Sequence, residues 1–248
     1  EKRLWSELGT GDPVRLIACA SADDEADRVA AEILSKRLRR GLRWSDFAIL
    51  YRGNFQAKPF ERALRERNMP YRVSGSTSFF DRAEIKDVLA YCRLLCNPDD
   101  DIAFLRVINT PRRQIGASTL EKLGHHARER GASMLTATFE MGLESRLDGA
   151  ALGRLRRFGE WIVGMADDAR RGDAVAVCRG LVDDIGYRDW LDDVSGDPRA
   201  AQRRWENVEE LLDWIGRMAR DAGGEERDLP AIVARLALVD MLDRGDDD

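Results

Sequence analysis

Residues 47–91 read FAILYRGNFQAKPFERALRERNMPYRVSGSTSFFDRAEIKDVLAY, and this stretch decides the expected fold. Its apolar runs, turn residues and amphipathic segments predict, in order, a strand, a polar turn, a helix, a strand, a glycine and a second helix. The first strand, residues 47–51, ends directly before a turn that is rich in cationic and amide side chains. Ligands of open α/β sheets bind outside the carboxyl ends of the strands. This turn is therefore the first candidate binding site.

The pattern of strands and helices changes near Gly75 and Ser76. Before this point, apolar runs at residues 13–21, 47–51 and 69–75 alternate with helical segments, which predicts part of a parallel sheet with right-handed crossovers. After it, no strand pattern is found. Helices are predicted at residues 83–96, 99–108, 118–130, 133–140, 149–170, 174–184, 187–192, 199–221 and 229–241. The expected fold class is α/β plus all-α.

Composition excludes some classes of protein. Hydrophobic residues make up 44% and charged residues 34%, which predicts a folded core rather than global disorder. No run of about 18 apolar residues is present, so no membrane span is expected, and the first residues lack the apolar region of a signal peptide. The four cysteines have no CxxC spacing, which is typical of a reduced cytoplasm.

Charge is unevenly distributed along a chain whose net charge is −5. Residues 1–74 contain 15 basic and 11 acidic side chains, whereas residues 132–248 contain 16 basic and 26 acidic ones. The overall charge alone argues against nonspecific binding to nucleic acid. The basic excess lies in the half that contains the candidate turn, and the acidic half is expected to be ordinary solvated helix surface.

Arg52, Asn54, Gln56 and Lys58 form the first candidate site. Arginine and lysine neutralise phosphates, while asparagine and glutamine form hydrogen bonds to sugars and base edges. These residue types suit a single-stranded nucleic acid. The alternative interpretation is a polar connection between a strand and a helix.

The segment NTPRRQIGASTL, residues 109–120, supplies the second candidate site. A glycine turn followed by free N–H groups at the start of a helix can bind phosphate. The layout resembles helix–hairpin–helix turns that bind duplex backbone without reading sequence. The alternative is a capped helix start with exposed arginines. The candidate residues are Thr110, Arg112, Arg113, Gly116, Ser118 and Thr119.

Several other features are weak as functional sites. His125 and His126 are adjacent, so on a helix they point about 100° apart and do not form a metal site. Phe79 and Phe80 are expected to be core residues. The sequence also lacks a GxxxxGK[ST] phosphate loop. No catalytic, cofactor-binding or metal-binding residue is therefore predicted in this chain.

Three segments, residues 51–61, 74–87 and 97–116, resemble the UvrD/Rep/PcrA helicases of superfamily 1, and the match is closest to Rep-type members. The first segment, YRGNFQAKPFE, resembles a motif that contacts single-stranded DNA in the second RecA-like domain. It departs from the family at Ala57 and Lys58, where serine and arginine are usual. Lysine keeps the charge but lacks the planar fork of arginine.

The resemblance implies that residues 1–74 are part of a RecA-like 2A domain, residues 75–243 a helical 2B domain and residues 244–248 an acidic tail. Gly75 and Ser76 would form the hinge, although two glycines are usual in the family. Full-length relatives are 3′–5′ DNA helicases that use ATP and Mg²⁺. The resemblance thus implies a fragment that is inactive alone and binds no cofactor itself.

The partners implied are single-stranded DNA, duplex backbone, the remaining domains 1A and 1B, the rest of 2A, and replication or repair proteins of a bacterial cytoplasm. Two other hypotheses remain open. The acidic helical half could be a protein-interaction module that docks a repair or replication partner. An independent nucleotide-binding α/β enzyme is the third hypothesis, and the missing phosphate loop argues against it.

Overall fold

The computed structural model of the protein describes residues 11, 13–53, 56–73, 79–220 and 228–244. Its backbone divides into two compact units, Glu1–Tyr71 and Arg72–Asp248. The predicted hinge, Gly75 and Ser76, lies outside the described residues. The assignment of the two units to particular helicase domains stays a prediction.

The first unit contains helix α1 (Ala22–Arg40), a short 3-10 helix (Trp44–Asp46) and helix α2 (Ala57–Glu66). Local sequence explains both ends of α1. The Ser21 hydroxyl accepts a hydrogen bond from the Asp24 N–H at 3.1 Å, and Gly41 ends the helix at a positive φ of 66°. Acidic residues in the first turn and basic residues in the last turn complement the helix dipole.

Small residues allow α1 and α2 to pack closely. Ala26 and Ala30 of α1 are buried with Ala63 and Leu64 of α2 in one apolar cluster. A buried ion pair lies on α2 beside this cluster: Glu61 and Arg65 approach to 3.6 Å, and each side chain is only 3% exposed. Burial of two charges is tolerated here because they pair with each other.

The predicted sheet is wrong: no strand is found within the residues that the structure describes. Val14 and Leu16 are 100% exposed and Leu50 is 93% exposed, so these apolar runs are not covered as strands of a sheet would be. An apolar run becomes a strand only where a neighbouring backbone pairs with its N–H and C=O groups. The described fold is mostly all-α, which corrects the expected α/β class of residues 1–74.

The regular elements of the second unit are all helices within its described residues, as predicted. Its longer helices are α3 (Ala83–Cys96), α5 (Ala117–Arg130), α7 (Gly149–Arg171), α8 (Ala174–Asp184), α9 (Tyr187–Ser195), α10 (Pro198–Arg220) and α11 (Leu229–Arg244). Its described residues also contain two shorter α-helices, α4 (Asp101–Val107) and α6 (Met134–Ala137), and a 3-10 helix (Leu143–Ser145). None of the helices in the described part of the chain is long and apolar enough to cross a membrane.

Helix α3 is the centre of this unit. It is buried on most of its circumference and packs against α4, α7, α10 and α11. A helix that is apolar on several faces belongs in the interior of a bundle. Phe79 and Phe80, just before α3, are 0% and 1% exposed and contact the Trp214 ring, with centroid distances of 6.3 and 5.6 Å. The prediction that both phenylalanines are core residues is confirmed.

Two buried carboxylates tie the start of α3 to other helices. Glu84 accepts hydrogen bonds from the Asn207 amide at 2.7 Å and from Arg204 at 3.2 Å, both on α10. Asp87 accepts one from the Tyr187 hydroxyl of α9 at 2.8 Å. Burial and the neighbouring Asp87 carboxylate raise the pKa of Tyr187, so it remains a neutral donor. These contacts fix the beginning of α3 within the helical unit.

Candidate nucleic-acid interface

The predicted turn at residues 52–58 is organised by Gln56. Its side-chain oxygen accepts hydrogen bonds from the backbone N–H groups of Arg52 at 3.1 Å and Gly53 at 3.0 Å. Gln56 therefore shapes the turn with its oxygen, which leaves its amide NH₂ as the group available for donation. The Arg52 side chain is exposed, whereas Lys58 is half-buried on the first turn of α2. Asn54 lies outside the described residues.

The second candidate segment is a tight connection between α4 and α5. The side chain of Asn109 holds it: its oxygen accepts from the N–H groups of Arg113 at 3.3 Å and Ile115 at 3.2 Å. Its amide nitrogen donates to the Ile115 carbonyl. One side chain thus replaces the backbone partners that residues 113 and 115 lack in a turn. The buried Ile115 side chain, 3% exposed, anchors the far end of the connection.

The guanidinium of Arg113 points into this connection. Its Nη1 lies within donating distance of three carbonyl oxygens, those of Val107 at 2.9 Å, Ile108 at 3.3 Å and Pro111 at 3.2 Å. Its carbon also lies 4.9 Å from the centroid of the Phe158 ring. A cation close to the last carbonyls of α4 is favourable because these groups have no intrahelical partner.

Tyr91 of α3 completes the arrangement around this arginine. Its hydroxyl accepts a hydrogen bond from Nη2 of Arg113 at 2.7 Å. It also lies within donating distance of the carbonyl oxygens of Val107, at 3.2 Å, and Thr110. Burial raises the pKa of Tyr91 to about 12, against the lowering effect of Arg113. The hydroxyl therefore keeps its proton at neutral pH and can donate it.

The outer side of the connection presents the remaining candidates. Arg112, Gly116 and Ser118 are exposed, and Thr119 is half-buried on the first turn of α5. Gly116 precedes α5 and supplies no capping side chain, and that first turn contains no acidic residue. The first N–H groups of a helix have no intrahelical acceptor, so this end of α5 is electropositive. The Thr110 hydroxyl instead donates to the Arg106 carbonyl at 3.1 Å.

Sequence reasoning selected Arg112 and Arg113 together, and the structure separates them. Arg112 faces outward, while Arg113 is half-buried and bonded to carbonyls. The cause lies in Tyr91, which sequence reasoning did not select, and in Gln114, whose φ of 57° is unusual for a residue other than glycine. In the sequence, the only local indication that Asn109 stabilises this connection is the turn-forming run Asn-Thr-Pro at residues 109–111.

Other polar side chains are engaged elsewhere. His125 lies 2.9 Å from Glu129, whereas His126 is buried, and neither of its ring nitrogens has a hydrogen-bond partner. No group of metal-ligating residues is found in the described part of the chain. The Asp81 carboxylate accepts a hydrogen bond from Lys86 at 2.6 Å, and Arg82 occupies the cap position of α3.

Comparison with known proteins shows similarity to one group. Residues 1–145 match the family model described as the UvrD-like helicase C-terminal domain. Over 99% of its length the chain is 44% identical to the ATP-dependent DNA helicase Rep of Salmonella typhimurium, of which it covers 36%. The Escherichia coli Rep helicase is also 44% identical, with 37% of that protein covered.

A more distant relative is DNA helicase II of Escherichia coli, which is 37% identical over 85% of the chain and of which 29% is covered. The chain thus spans little more than a third of the length of the two Rep helicases that it matches.

Proposed function

Because the chain belongs to the UvrD-like helicase family and is similar to Rep helicases, we propose that it supplies DNA-contacting parts of an ATP-dependent 3′–5′ DNA helicase acting in replication or repair. The observation that carries this proposal is the 44% identity to Rep helicases along 99% of the chain. The exposed, cationic connection before α5 supports it as a place where DNA would be bound.

We assign duplex contact to this connection. Arg112 can neutralise a phosphate, and the hydroxyls of Ser118 and Thr119 can donate to phosphate oxygens beside the free N–H groups of α5. Apart from Gly116 itself and its immediate chain neighbours, no heavy atom of the described residues lies within 4 Å of the place that a Cβ on Gly116 would occupy. A phosphate could therefore approach the backbone closely there. Contacts of this kind would be independent of base sequence.

We assign single-stranded DNA to the first unit. Arg52 is exposed at the turn that Gln56 holds, and Lys58 lies on the first turn of α2. The guanidinium would neutralise phosphate, and the Gln56 amide NH₂ would donate to a base or sugar. In the parent protein, this grip would alternate with grips in the other helicase domains as the motor advances.

ATP and Mg²⁺ are assigned to the parent protein and not to this chain. The sequence has no GxxxxGK[ST] loop to hold phosphates. In the part of the chain that the structure describes, no cluster of acidic side chains could hold the metal either. The residues here do not fit the nucleotide, so no step of hydrolysis is assigned to them.

The second unit would act as the 2B domain that swivels on 2A about Gly75 and Ser76. The buried contacts of Phe79, Phe80 and Glu84 support a hinge before residue 79, because the chain beyond it is fixed in the helical unit. DNA bound by this unit would favour one pose of the swivel over another. A bacterial cytoplasmic location is part of the same proposal.

Fluorescence anisotropy with a labelled hairpin duplex and a labelled single strand tests the two DNA assignments. Arg112→Gln should weaken binding of the hairpin, and Arg52→Gln should weaken binding of the single strand. Arg199→Gln removes an exposed charge at the start of α10 and serves as the matched control. Equal effects of all three variants on both DNAs would contradict the assignment, as would no binding by the wild type at low salt.

The alternative function, docking of a replication or repair partner, is favoured by one surface. Pro98, Leu135, Phe139, Met141 and Val163 line an open groove of about 300 Å³ with Thr136 and Glu140. The side chain of Met141 is 81% exposed, and exposed apolar patches often mark interaction sites. Met141→Asp should abolish such docking and spare DNA binding, whereas Arg112→Glu should have the opposite effect in pull-downs with purified repair proteins.

A further inference from the structure

We infer that Arg113 is a positioning residue, which holds the α4–α5 connection in the shape that lets its outer face meet duplex DNA. This inference rests on the proposed duplex contact. It reverses the role that sequence alone suggested, in which Arg112 and Arg113 bind phosphate together. The different surroundings of the two guanidinium groups support it.

The donors of Arg113 are already used inside the protein. Nη1 lies within 3.3 Å of three carbonyl oxygens that belong to the end of α4 and the following turn. Nη2 donates to the Tyr91 hydroxyl at 2.7 Å. A phosphate would have to displace these acceptors, leaving half-buried carbonyls without partners, which is unfavourable. Arg112, one residue earlier, is exposed and can reach a phosphate without this cost.

The inward direction of Arg113 is coupled to the backbone around it. Asn109 holds the N–H groups of Arg113 and Ile115, and Gln114 between them adopts a positive φ of 57°. This left-handed conformation is costly for a residue other than glycine. The hydrogen bonds on either side maintain it, and Ile115 is buried just before Gly116 and α5. Arg113 thus fixes the approach to the start of α5 without touching DNA.

Lysine distinguishes a positioning arginine from a phosphate contact. Lysine retains the charge, so it can replace an arginine that only neutralises phosphate. It cannot reproduce a planar fork that spans several carbonyls and the Tyr91 hydroxyl. Arg113→Lys should therefore behave like Arg113→Gln, whereas Arg112→Lys should behave like the wild type.

The experiment measures binding of a labelled hairpin duplex by the full chain across a salt series. The logarithm of the binding constant falls linearly with log salt, and removal of one side chain that neutralises a phosphate makes this slope shallower by about 0.9. Arg112→Gln should reduce the magnitude of the slope by this amount. Arg113→Lys and Arg113→Gln should each weaken binding about fivefold, the equivalent of one net hydrogen bond, with the slope unchanged.

Amide hydrogen exchange distinguishes a local change in the α4–α5 connection from unfolding of the helical unit. In both Arg113 variants the amides of residues 113 and 115 should exchange faster, while amides in the core of α3 keep their protection. In Arg112→Gln the exchange rates of both sets of amides should be the same as in the wild type. Gln114→Gly, which relieves the positive φ, should leave hairpin binding intact.

Three results would overturn the inference. A slope reduced by Arg113→Gln and restored by Arg113→Lys would make Arg113 a phosphate contact, although the duplex assignment would stand. Unchanged binding in both Arg113 variants, despite faster exchange, would make its role purely structural. Absence of hairpin binding by the wild type at low salt would remove the duplex assignment and this role with it.

Discussion

Replacing Asn109 with alanine tests how the α4–α5 connection is stabilised. The change removes two hydrogen bonds accepted from the N–H groups of Arg113 and Ile115, at 3.3 and 3.2 Å, and one donated to the Ile115 carbonyl. Each net hydrogen bond contributes about 1 kcal/mol to stability. Because Asn109 is only half-buried, water can replace part of these interactions. We expect the free energy of unfolding to fall by about 2 kcal/mol.

The assay combines urea unfolding, followed by tryptophan fluorescence of the helical unit, with amide hydrogen exchange at residues 113 and 115. Asn109→Asp is the graded variant, since it keeps the acceptor for both N–H groups and places a carboxylate against the Ile115 carbonyl. In Asn109→Asp, the backbone amides of residues 113 and 115 should stay better protected from hydrogen exchange than in Asn109→Ala. Unchanged exchange at both amides in Asn109→Ala, with an unchanged unfolding midpoint, would refute the role given to this side chain.

Three further changes probe other parts of the structure. Glu61→Gln removes the carboxylate charge beside the buried Arg65, and we expect a decrease of about 3 kcal/mol in the unfolding free energy of the first unit in urea; an unchanged midpoint would contradict this. The pKa of Tyr91 is raised to about 12, so its neutral hydroxyl stabilises the fold fully below pH 10 and progressively less above it. The difference in unfolding free energy between the wild type and Tyr91→Phe should therefore shrink by about 3 kcal/mol from pH 10 to 12. A difference that stays constant over this range would exclude a link between folding and the ionisation of Tyr91. Gly159→Ala puts a Cβ 2.7 Å from the Phe139 ring, so it should lower the melting temperature and cost about 1–3 kcal/mol of stability. Gly164→Ala is the matched control: its Cβ would lie in open space, and the change should increase stability by about 0.5–1 kcal/mol. Equal shifts of the melting temperature in the two variants would count against close packing at Gly159.

The helices were predictable because their signals are local. Ser21 and Gly41 bracket α1 as a cap and a left-handed stop. The apolar repeat from Trp205 to Met218 predicts a buried stripe on α10, and the structure buries this stripe from Val208 onward while Trp205 is half-buried. The predicted strands failed for the opposite reason. An apolar run such as residues 13–21 specifies a strand only together with a neighbour that pairs with it, and the described residues provide none.

The candidate site could be located from sequence but not resolved into roles. The Arg-Arg pair and the following glycine mark the connection before α5, which is a local pattern. Whether an arginine faces outward or inward depends on Tyr91, twenty-two residues earlier, and on the carbonyls at the end of α4. Such contacts are set by tertiary packing, so adjacent arginines with identical chemistry acquire different roles.

Chemical-shift mapping of the chain with a short DNA duplex at low salt tests the central claim most directly. We expect backbone amide shifts to concentrate at Arg112, Gly116, Ser118 and Thr119, and to fade as salt is raised. Shifts centred on the exposed carboxylates of α9, Asp189, Asp192 and Asp193, or the absence of any shift in residues 110–119, would contradict it.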